Sequence, residues 1–319
     1  ESARASYLAT VQAQRAFRLS LIGQVASTYL ASLEAAERIR LAEATVTTRR
    51  DGTQIAETRF EAGITSALDY RQSEALLMQA ETELVGLRRA EARTNNALMV
   101  LIGGPIPDSL PAPLPLVAQL DATRLAAGLP SELLTVRPDI IGAEEQLRAA
   151  RANIGAARAA FFPAISLTGL FGYISGELAN LVGNDNQQWS YGASITAPLF
   201  TGGKLKGNLA VANAREHIAV AGYERTVQEA FREVADALAG RRFLAEQVAA
   251  QERTTAAQRE ISELAAARYS EGVVGYLEVL DAERNLFAAE QALLQLRRVE
   301  ADNLVGLYLA LGGGVLTEP

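Results

Sequence analysis

Arg59-Phe60-Glu61-Ala62-Gly63 returns as Arg268-Tyr269-Ser270-Glu271-Gly272, 209 residues further along the chain. The match continues without a gap. Leu68 meets Leu277, Glu74 meets Glu283, Leu77 meets Leu286 and Leu84 meets Leu293. Leu87-Arg88-Arg89 then meets Leu296-Arg297-Arg298, Glu91-Ala92 meets Glu300-Ala301, and Gly103-Gly104 meets Gly312-Gly313. Upstream, Val25-Ala26 falls on Val234-Ala235. Ala-rich helices resemble one another by chance, but not in one ungapped register over this length. The chain carries an internal duplication.

What is duplicated follows from where proline is missing. The ten prolines lie at 105, 107, 111, 113, 115, 130, 138, 163, 198 and 319, leaving 1–104 and 199–318 free of them. A proline inside a helix costs about 3 kcal/mol, so proline-free stretches rich in Ala, Leu, Glu, Arg and Gln are where helices run unbroken. Breaks are plausible only near Asp51-Gly52, at Glu61-Ala62-Gly63 and at Ser270-Glu271-Gly272. One helix from Ser2 to Phe60 would be about 90 Å long at 1.5 Å per residue, wider than a single globular core, so it needs neighbours along its whole length. Each repeat reads as a long helix, a glycine turn and a returning helix of about 40 residues stopped by Gly-Gly.

Between the repeats the pattern changes. Residues 105–136 form a Pro-rich linker, expected to run extended over the surface. Residues 137–162, opening on Arg137-Pro138-Asp139-Ile140, form a helix that Pro163 ends. From Ala164 the period switches to two. Ile165, Leu167, Phe171 and Tyr173 share one face with Trp189, Tyr191, Ile195 and Leu199 of a second run. Ser166, Thr168, Leu170, Gly172 and Ile174 take the other face of the first run, and Ser190, Gly192, Ser194 and Thr196 that of the second. Gly176–Gln188 between them is a polar loop. Residues 163–200 are thus a β-hairpin, either covering a soluble core or crossing a bilayer with its apolar face in lipid. Periodicity alone leaves both open. Two strands cannot close a barrel, so the membrane reading requires an oligomer or further strands.

Composition excludes much chemistry. Half the chain is hydrophobic (49%) but only 6% is aromatic, and the net charge is −7. An acidic chain is a poor nucleic-acid binder. Zero cysteines and a single histidine, His217, remove thiolate and multi-His metal sites and disfavour a Ser-His triad. Gly202-Gly203-Lys204 lacks phosphate-loop spacing. No enzyme activity and no cofactor is expected. No uncharged apolar run reaches the length of a membrane-spanning helix.

With these residues in hand, the chain resembles the TolC-type outer-membrane efflux proteins, in the lipoprotein branch serving resistance-nodulation-division (RND) pumps. The resemblance covers essentially the whole chain. It is carried by Arg137-Pro138-Asp139-Ile140 with Ala143-Glu144, by Ile154-Gly155-Ala156-Ala157 through Phe162-Pro163, and by Ala197-Pro198-Leu199-Phe200 with Gly202-Gly203. Tyr276-Leu277 through Leu280-Asp281-Ala282-Glu283-Arg284 and the ending Leu307 to Gly314 complete it. It implies a mainly α fold: long antiparallel helical hairpins (1–104 and 201–314) forming a periplasmic α-barrel tunnel, and a transmembrane β-hairpin contributing to an outer-membrane β-barrel. It further implies a homotrimer in the cell outer membrane, a passive exit duct for drugs, metals or similar small molecules, partnered by a periplasmic adaptor and an inner-membrane RND transporter. The alternative is a soluble coiled-coil scaffold or adaptor without a channel, in which Trp189, Tyr191, Ile165 and Phe171 would be buried.

The resemblance also supplies site expectations. The turns at Arg59–Gly63 and Arg268–Gly272 would meet the adaptor. Leu277, Glu278 and Asp281, with Asp69 at the Glu278 position of the first repeat, would form apolar and acidic rings closing the tunnel. The family's gate-tethering Arg, two residues after the second-turn glycine, is here Val274. Residue 1 falls opposite Ala210, just after the hairpin. The family's first strand hairpin, the signal peptide and the lipid-bearing Cys are therefore expected to lie outside a shortened chain. Three copies would offer half the family's strands, so this chain alone is not expected to conduct.

Overall fold

In the computed structural model, residues 1–107, 113–119, 135–176, 178, 181–182 and 187–313 are described. The proline-free stretches are helical nearly end to end. They give α1 (Ser2–Glu61) and α2 (Ala67–Ile102), then α4 (Lys204–Ser270) and α5 (Tyr276–Ala310). Between them lie α3 (Pro138–Ala159) and strands β1 (Ala164–Tyr173) and β2 (Gln187–Thr196). The chain divides into one unit of Glu1–Gln14 with Pro138–Gln228 and another of Arg15–Arg137 with Glu229–Pro319.

In the first unit, α3 begins with Pro138 in the first helical position, where its missing N–H costs nothing. Ile140 is fully buried. Gly142 lets α3 approach α1, since a Cβ there would stand 3.4 Å from the Gln12 Cβ. Before Pro163 the helix unwinds through tighter bonds, Phe161 N–H to the Arg158 carbonyl (3.2 Å) and Phe162 N–H to Ala159 (3.1 Å). β1 and β2 pair antiparallel, with Ile165 opposite Ile195, Leu167 opposite Ala193 and Phe171 opposite Trp189. β2 stops at Thr196, two residues before Pro198, which has no N–H to give a ladder. Leu199 therefore lies beyond the strand on which the alternation had placed it. The loop is shorter than Gly176–Gln188, because Gln187 and Gln188 already pair with Tyr173 and Gly172 in β2; residues 177, 179–180 and 183–186 lie outside the described residues.

The second unit holds both helical hairpins. Each turn ends the outgoing helix on a left-handed glycine, Gly63 at φ 73° and Gly272 at φ 75°, closed by the same pair of bonds. Ile64 N–H reaches the Arg59 carbonyl at 2.8 Å and Gly63 N–H reaches Phe60 at 2.9 Å; Val273 to Arg268 and Gly272 to Tyr269 repeat them at 2.9 and 3.0 Å. The Gly-Gly stops repeat likewise, Gly104 N–H to Met99 and Gly313 N–H to Tyr308. Side chains follow. Arg50–Glu81 (2.8 Å) and Arg88–Glu43 (2.7 Å) brace the first hairpin, and their counterparts Arg259–Glu290 (2.6 Å) and Arg297–Glu252 (2.9 Å) brace the second. The duplication read from the letters is a duplication of bonds.

α1 runs antiparallel to α5, sharing a core of Ile39, Ala42, Val46, Leu84, Leu87 and Phe287. Further along, Leu30, Leu33 and Ala301 receive Leu116. That contact corrects the reading of the linker. Leu116–Ala118 is a single 3-10 turn whose Leu116 is buried, not laid over the surface, and whose N–H is held by the Glu37 carboxylate at 2.8 Å. Residues 108–112 and 120–134 of that linker lie outside the described residues. Gly52 does not break α1; it provides room for the Tyr276 hydroxyl, 2.6 Å from where a Cβ would stand. No described helix is long and apolar enough to cross a membrane.

Candidate functional site

The strand hairpin shows which face meets what. In an antiparallel pair, directly opposed residues share a face, so the register puts Ile165, Leu167, Phe171, Tyr173, Trp189, Tyr191 and Ile195 together. All are exposed. Trp189 is 68% and Tyr191 is 76% exposed, stacked on each other with centroids 5.7 Å apart, and Phe171 meets Tyr173 edge-on. A scaffold core would have buried them. Leu199, past the strand end, is also exposed. The opposite face carries Ser166, Thr168, Leu170, Gly172, Ser190, Gly192, Ser194 and Thr196, so Leu170 interrupts a small polar surface. Each strand has 10 residues, the length a tilted strand needs to span hydrocarbon.

The hairpin tips form the second candidate site. Arg59 does not simply cap its own helix. Its guanidinium crosses to the second hairpin, donates to the Tyr269 hydroxyl and lies 4.9 Å from the centre of that ring. Tyr269 in turn packs on Tyr276 at 5.0 Å. Arg268, the counterpart of Arg59, instead pairs with Glu278 of its own hairpin at 2.7 Å. At the equivalent position of the first tip, Phe60 stacks on Tyr70 at 5.9 Å. Gly63 and Gly272 carry the turns themselves.

The four residues expected in the gate are spread over several environments. Glu278 and Asp281 line one cleft of about 460 Å³ with Arg268, Ile261, Leu264 and Asn285. Asp281 also pairs with Arg284 at 3.0 Å. Leu277 is half-exposed and is not among the residues lining that cleft. Asp69 is engaged as half of a capping box. Its Oδ2 accepts from the Thr65 hydroxyl (2.8 Å) and the Ser66 hydroxyl (2.9 Å), while Ser66 Oγ accepts the Asp69 N–H. Those hydroxyls hold its carboxyl below the usual range. Gly275 replaces Ser66 in the second repeat, so α5 starts with no side-chain cap.

A buried polar node behind the tip is not marked by any sequence motif. Arg49, on an otherwise ordinary Thr-Arg-Arg stretch, is 5% exposed. It donates to the Leu76 carbonyl at 2.9 Å and sits 5.6 Å from the centre of the Phe287 ring. Burial lowers its pKa, with Glu283 opposing that shift. Burial raises Glu283, with Arg49 pulling it back. Ser73 is buried and shares a hydrogen bond of 2.8 Å with the Thr53 hydroxyl. Arg137 of the Arg-Pro-Asp motif is a second buried guanidinium. It donates to the Ala310 carbonyl at 3.0 Å and pairs with Glu233 at 2.8 Å, which closes the C-terminus of α5. His217 is exposed, 3.9 Å from a Glu216 oxygen. Among the described residues no three acidic or His side chains converge as metal ligands.

Long paired helices joined to an apolar-faced strand hairpin match one family. Residues 1–104 and 129–313 fit the family described as outer membrane efflux protein. The chain belongs to it. This outer membrane efflux protein is 44% identical over 308 residues to the solvent efflux pump outer membrane protein SrpC of Pseudomonas putida, covering 97% of this chain and 65% of that one. It is 39% identical over 316 residues to the cation efflux system protein CusC of Escherichia coli K12, covering 98% of this chain and 68% of CusC. The chain thus spans about two-thirds of the length of these relatives. Among solved structures it matches the open state of the Neisseria gonorrhoeae MtrE outer membrane channel with TM-score 0.87 and 42% identity, over 98% of this chain and 70% of that one. The fold is that of these mainly helical channels, and the chain is an outer-membrane protein.

Proposed function

We propose that the chain is the periplasmic-tunnel and strand-hairpin part of an outer-membrane exit duct in a tripartite efflux pump. In this reading it works as a homotrimer, embedded by its hairpin in outer-membrane lipid and joined below to a periplasmic adaptor and an inner-membrane RND transporter. It conducts passively and catalyses nothing. The observation that carries the reading is the strand hairpin: an exposed aromatic and aliphatic face backed by a mostly small polar one suits lipid on one side and water on the other. The helical regions 1–104 and 201–314 then serve as tunnel wall, 137–162 as the lead into the barrel, and 163–200 as the barrel strands.

At the tips, Glu278 and Asp281, repeated by symmetry, would place rings of negative charge at the tunnel mouth, with Leu277 as the apolar constriction. Asp69 shapes the first tip through its cap. The turns at Arg59, Gly63, Arg268 and Gly272, flanked by exposed Ile64 and Val273, offer an adaptor a rigid, partly apolar end. The relatives' names point to organic solvents or cations as cargo. Deleting the chain's gene and complementing it tests the whole reading. Growth in toluene or in raised concentrations of heavy-metal cations, and efflux of a lipophilic fluorescent dye, should fall on deletion and return on complementation. If all three stay unchanged, the reading is wrong.

A further inference from the structure

Charge is unevenly placed around the strand hairpin. Residues 146–176 and 187–215 hold no Asp or Glu, yet carry Arg148, Arg151, Arg158, Lys204, Lys206 and Arg215. The chain as a whole has a net charge of −7, and Lys204 and Lys206 are its only lysines. Arg148 is neutralised by Glu144 and Glu145, both at 2.6 Å, and Arg151 by Glu216 at 3.3 Å. Arg158, Lys204 and Lys206 meet no acid among the described residues. All three are exposed.

These cations stand where the hairpin meets its helices. The strand ladder ends at the pair Ala164 and Thr196. Arg158 lies in the last turn of α3 and Lys204 opens α4. Between the cations and the ladder both chain segments expose large apolar side chains: Phe162 is 70% exposed on one, Leu199 96% and Phe200 93% on the other. An apolar collar followed by unpaired cations suits the step from hydrocarbon into head groups. Long basic side chains lay their stems along the apolar layer and hold the charge at its edge. Lys204 and Lys206 are about 200° apart around α4, and Leu205 between them is half-buried, so they flank the helix on either side.

We propose that Arg158, Lys204 and Lys206 bind the phosphates of anionic phospholipid in the leaflet on the periplasmic side of the outer membrane. This rests on the reading of the hairpin as membrane-embedded and names the lipid that its base prefers. The leaflet follows from the topology, because both strand ends at the base run into the helices assigned to the periplasm. The lipid class follows from charge complementarity. Unpaired cations with no acid beside them favour a net negative head group over a zwitterionic one, each strengthening attachment about five-fold.

The native protein, extracted from outer membranes and stripped of lipid in detergent, is titrated with phosphatidylglycerol or phosphatidylethanolamine, and bound lipid is counted by native mass spectrometry. Wild type should prefer phosphatidylglycerol by at least about five-fold. R158Q/K204Q/K206Q should bind the two lipids equally, and R158K/K204R/K206R should keep the preference. R18Q/R93Q/R253Q, which removes three exposed arginines from the other unit, should keep it too. Salt of about 1 M, where screening acts over roughly 3 Å, should erase it in wild type. Equal binding of both lipids by wild type overturns the proposal, as does a preference unmoved by salt or by R158Q/K204Q/K206Q. Displacement of phosphatidylglycerol by excess inorganic phosphate assigns the cations to free phosphate and overturns it. Tighter binding of lipid A than of phosphatidylglycerol assigns them to the opposite leaflet and overturns it. Wild type recovered from broken cells without detergent overturns the membrane reading itself, and the proposal with it.

Discussion

Arg59 of the first helical hairpin donates to the hydroxyl of Tyr269 in the second and lies over the same ring. The two residues are 210 positions apart. They hold together the ends of α1 and α4, which no short connection joins to each other. If the tips form the mouth of a duct, this contact is a latch between its staves.

Tyr269→Phe removes the hydrogen bond and keeps the ring; Arg59→Ala removes both. A net hydrogen bond is worth about 1 kcal/mol, or roughly five-fold in a two-state equilibrium. Single-channel recordings of the native protein should show open probability rising about five-fold for Tyr269→Phe and further for Arg59→Ala. Equal openings in all three proteins would show that the latch holds nothing.

The two tips differ in how their returning helices begin. Ser66→Ala in α2 breaks the capping box and should cost about 1 kcal/mol. Gly275→Ser in α5 should add a few tenths of a kcal/mol, because Glu278 already stands where a capping-box acid stands. Hydrogen exchange of the first-turn amides reads both: faster at Asp69 in the first variant, slower at Glu278 in the second. Slower exchange in neither position after Gly275→Ser would mean that Arg268 holds Glu278 too firmly to release it.

Arg137 is a buried guanidinium that satisfies a helix end and a carboxylate together. Arg137→Ala should lower stability by about 2 kcal/mol, with the half-exposed Glu233 limiting the ionic share. Arg137→Lys should recover less than half, since an ammonium cannot reproduce the planar fork. Thermal unfolding in detergent measures both, and a lysine variant as stable as wild type would refute the bidentate role.

Glu283 gives the node behind the tip a pH dependence. Burial holds its folded pKa above the ordinary value of 4.5, so the folded state binds its proton more readily than the unfolded one. Its favourable contribution is present below that ordinary value and is lost as pH rises through the raised one. Glu283→Gln fixes the neutral form. Melting temperatures of variant and wild type should coincide near pH 4 and diverge in the variant's favour toward pH 8. A variant less stable than wild type at pH 8 would show that the charge opposite Arg49 outweighs its own desolvation.

Much of the fold is legible without coordinates because helices and strands are local. Proline-free, Ala-rich stretches must be helical; alternation of Ile165, Leu167, Phe171 and Tyr173 must be a strand; Gly63 and Gly272 must be turns. The repeat follows from comparing the chain with itself. The sites are less legible because they depend on pairs distant in sequence. No local pattern distinguishes Arg59, which crosses to Tyr269, from Arg268, which turns back to Glu278. No motif marks Arg49 as buried, since its neighbour Arg50 is exposed on the same helix and only the packing of α5 separates them. Leu116 lies in a Pro-rich segment that reads as surface, and is buried because Leu30, Leu33 and Ala301 happen to leave its space.

By itself, then, the sequence determined two helical hairpins, a strand hairpin with one apolar face, and their internal duplication, all set by short-range propensity and periodicity. Tertiary structure alone decided which face of each helix is covered, and so which arginines bind across hairpins and which faces are left bare. The physical reason is that burial belongs to a pair of surfaces. Two repeats with the same letters at the same offset meet different neighbours, and only their packing can tell Arg59 from Arg268.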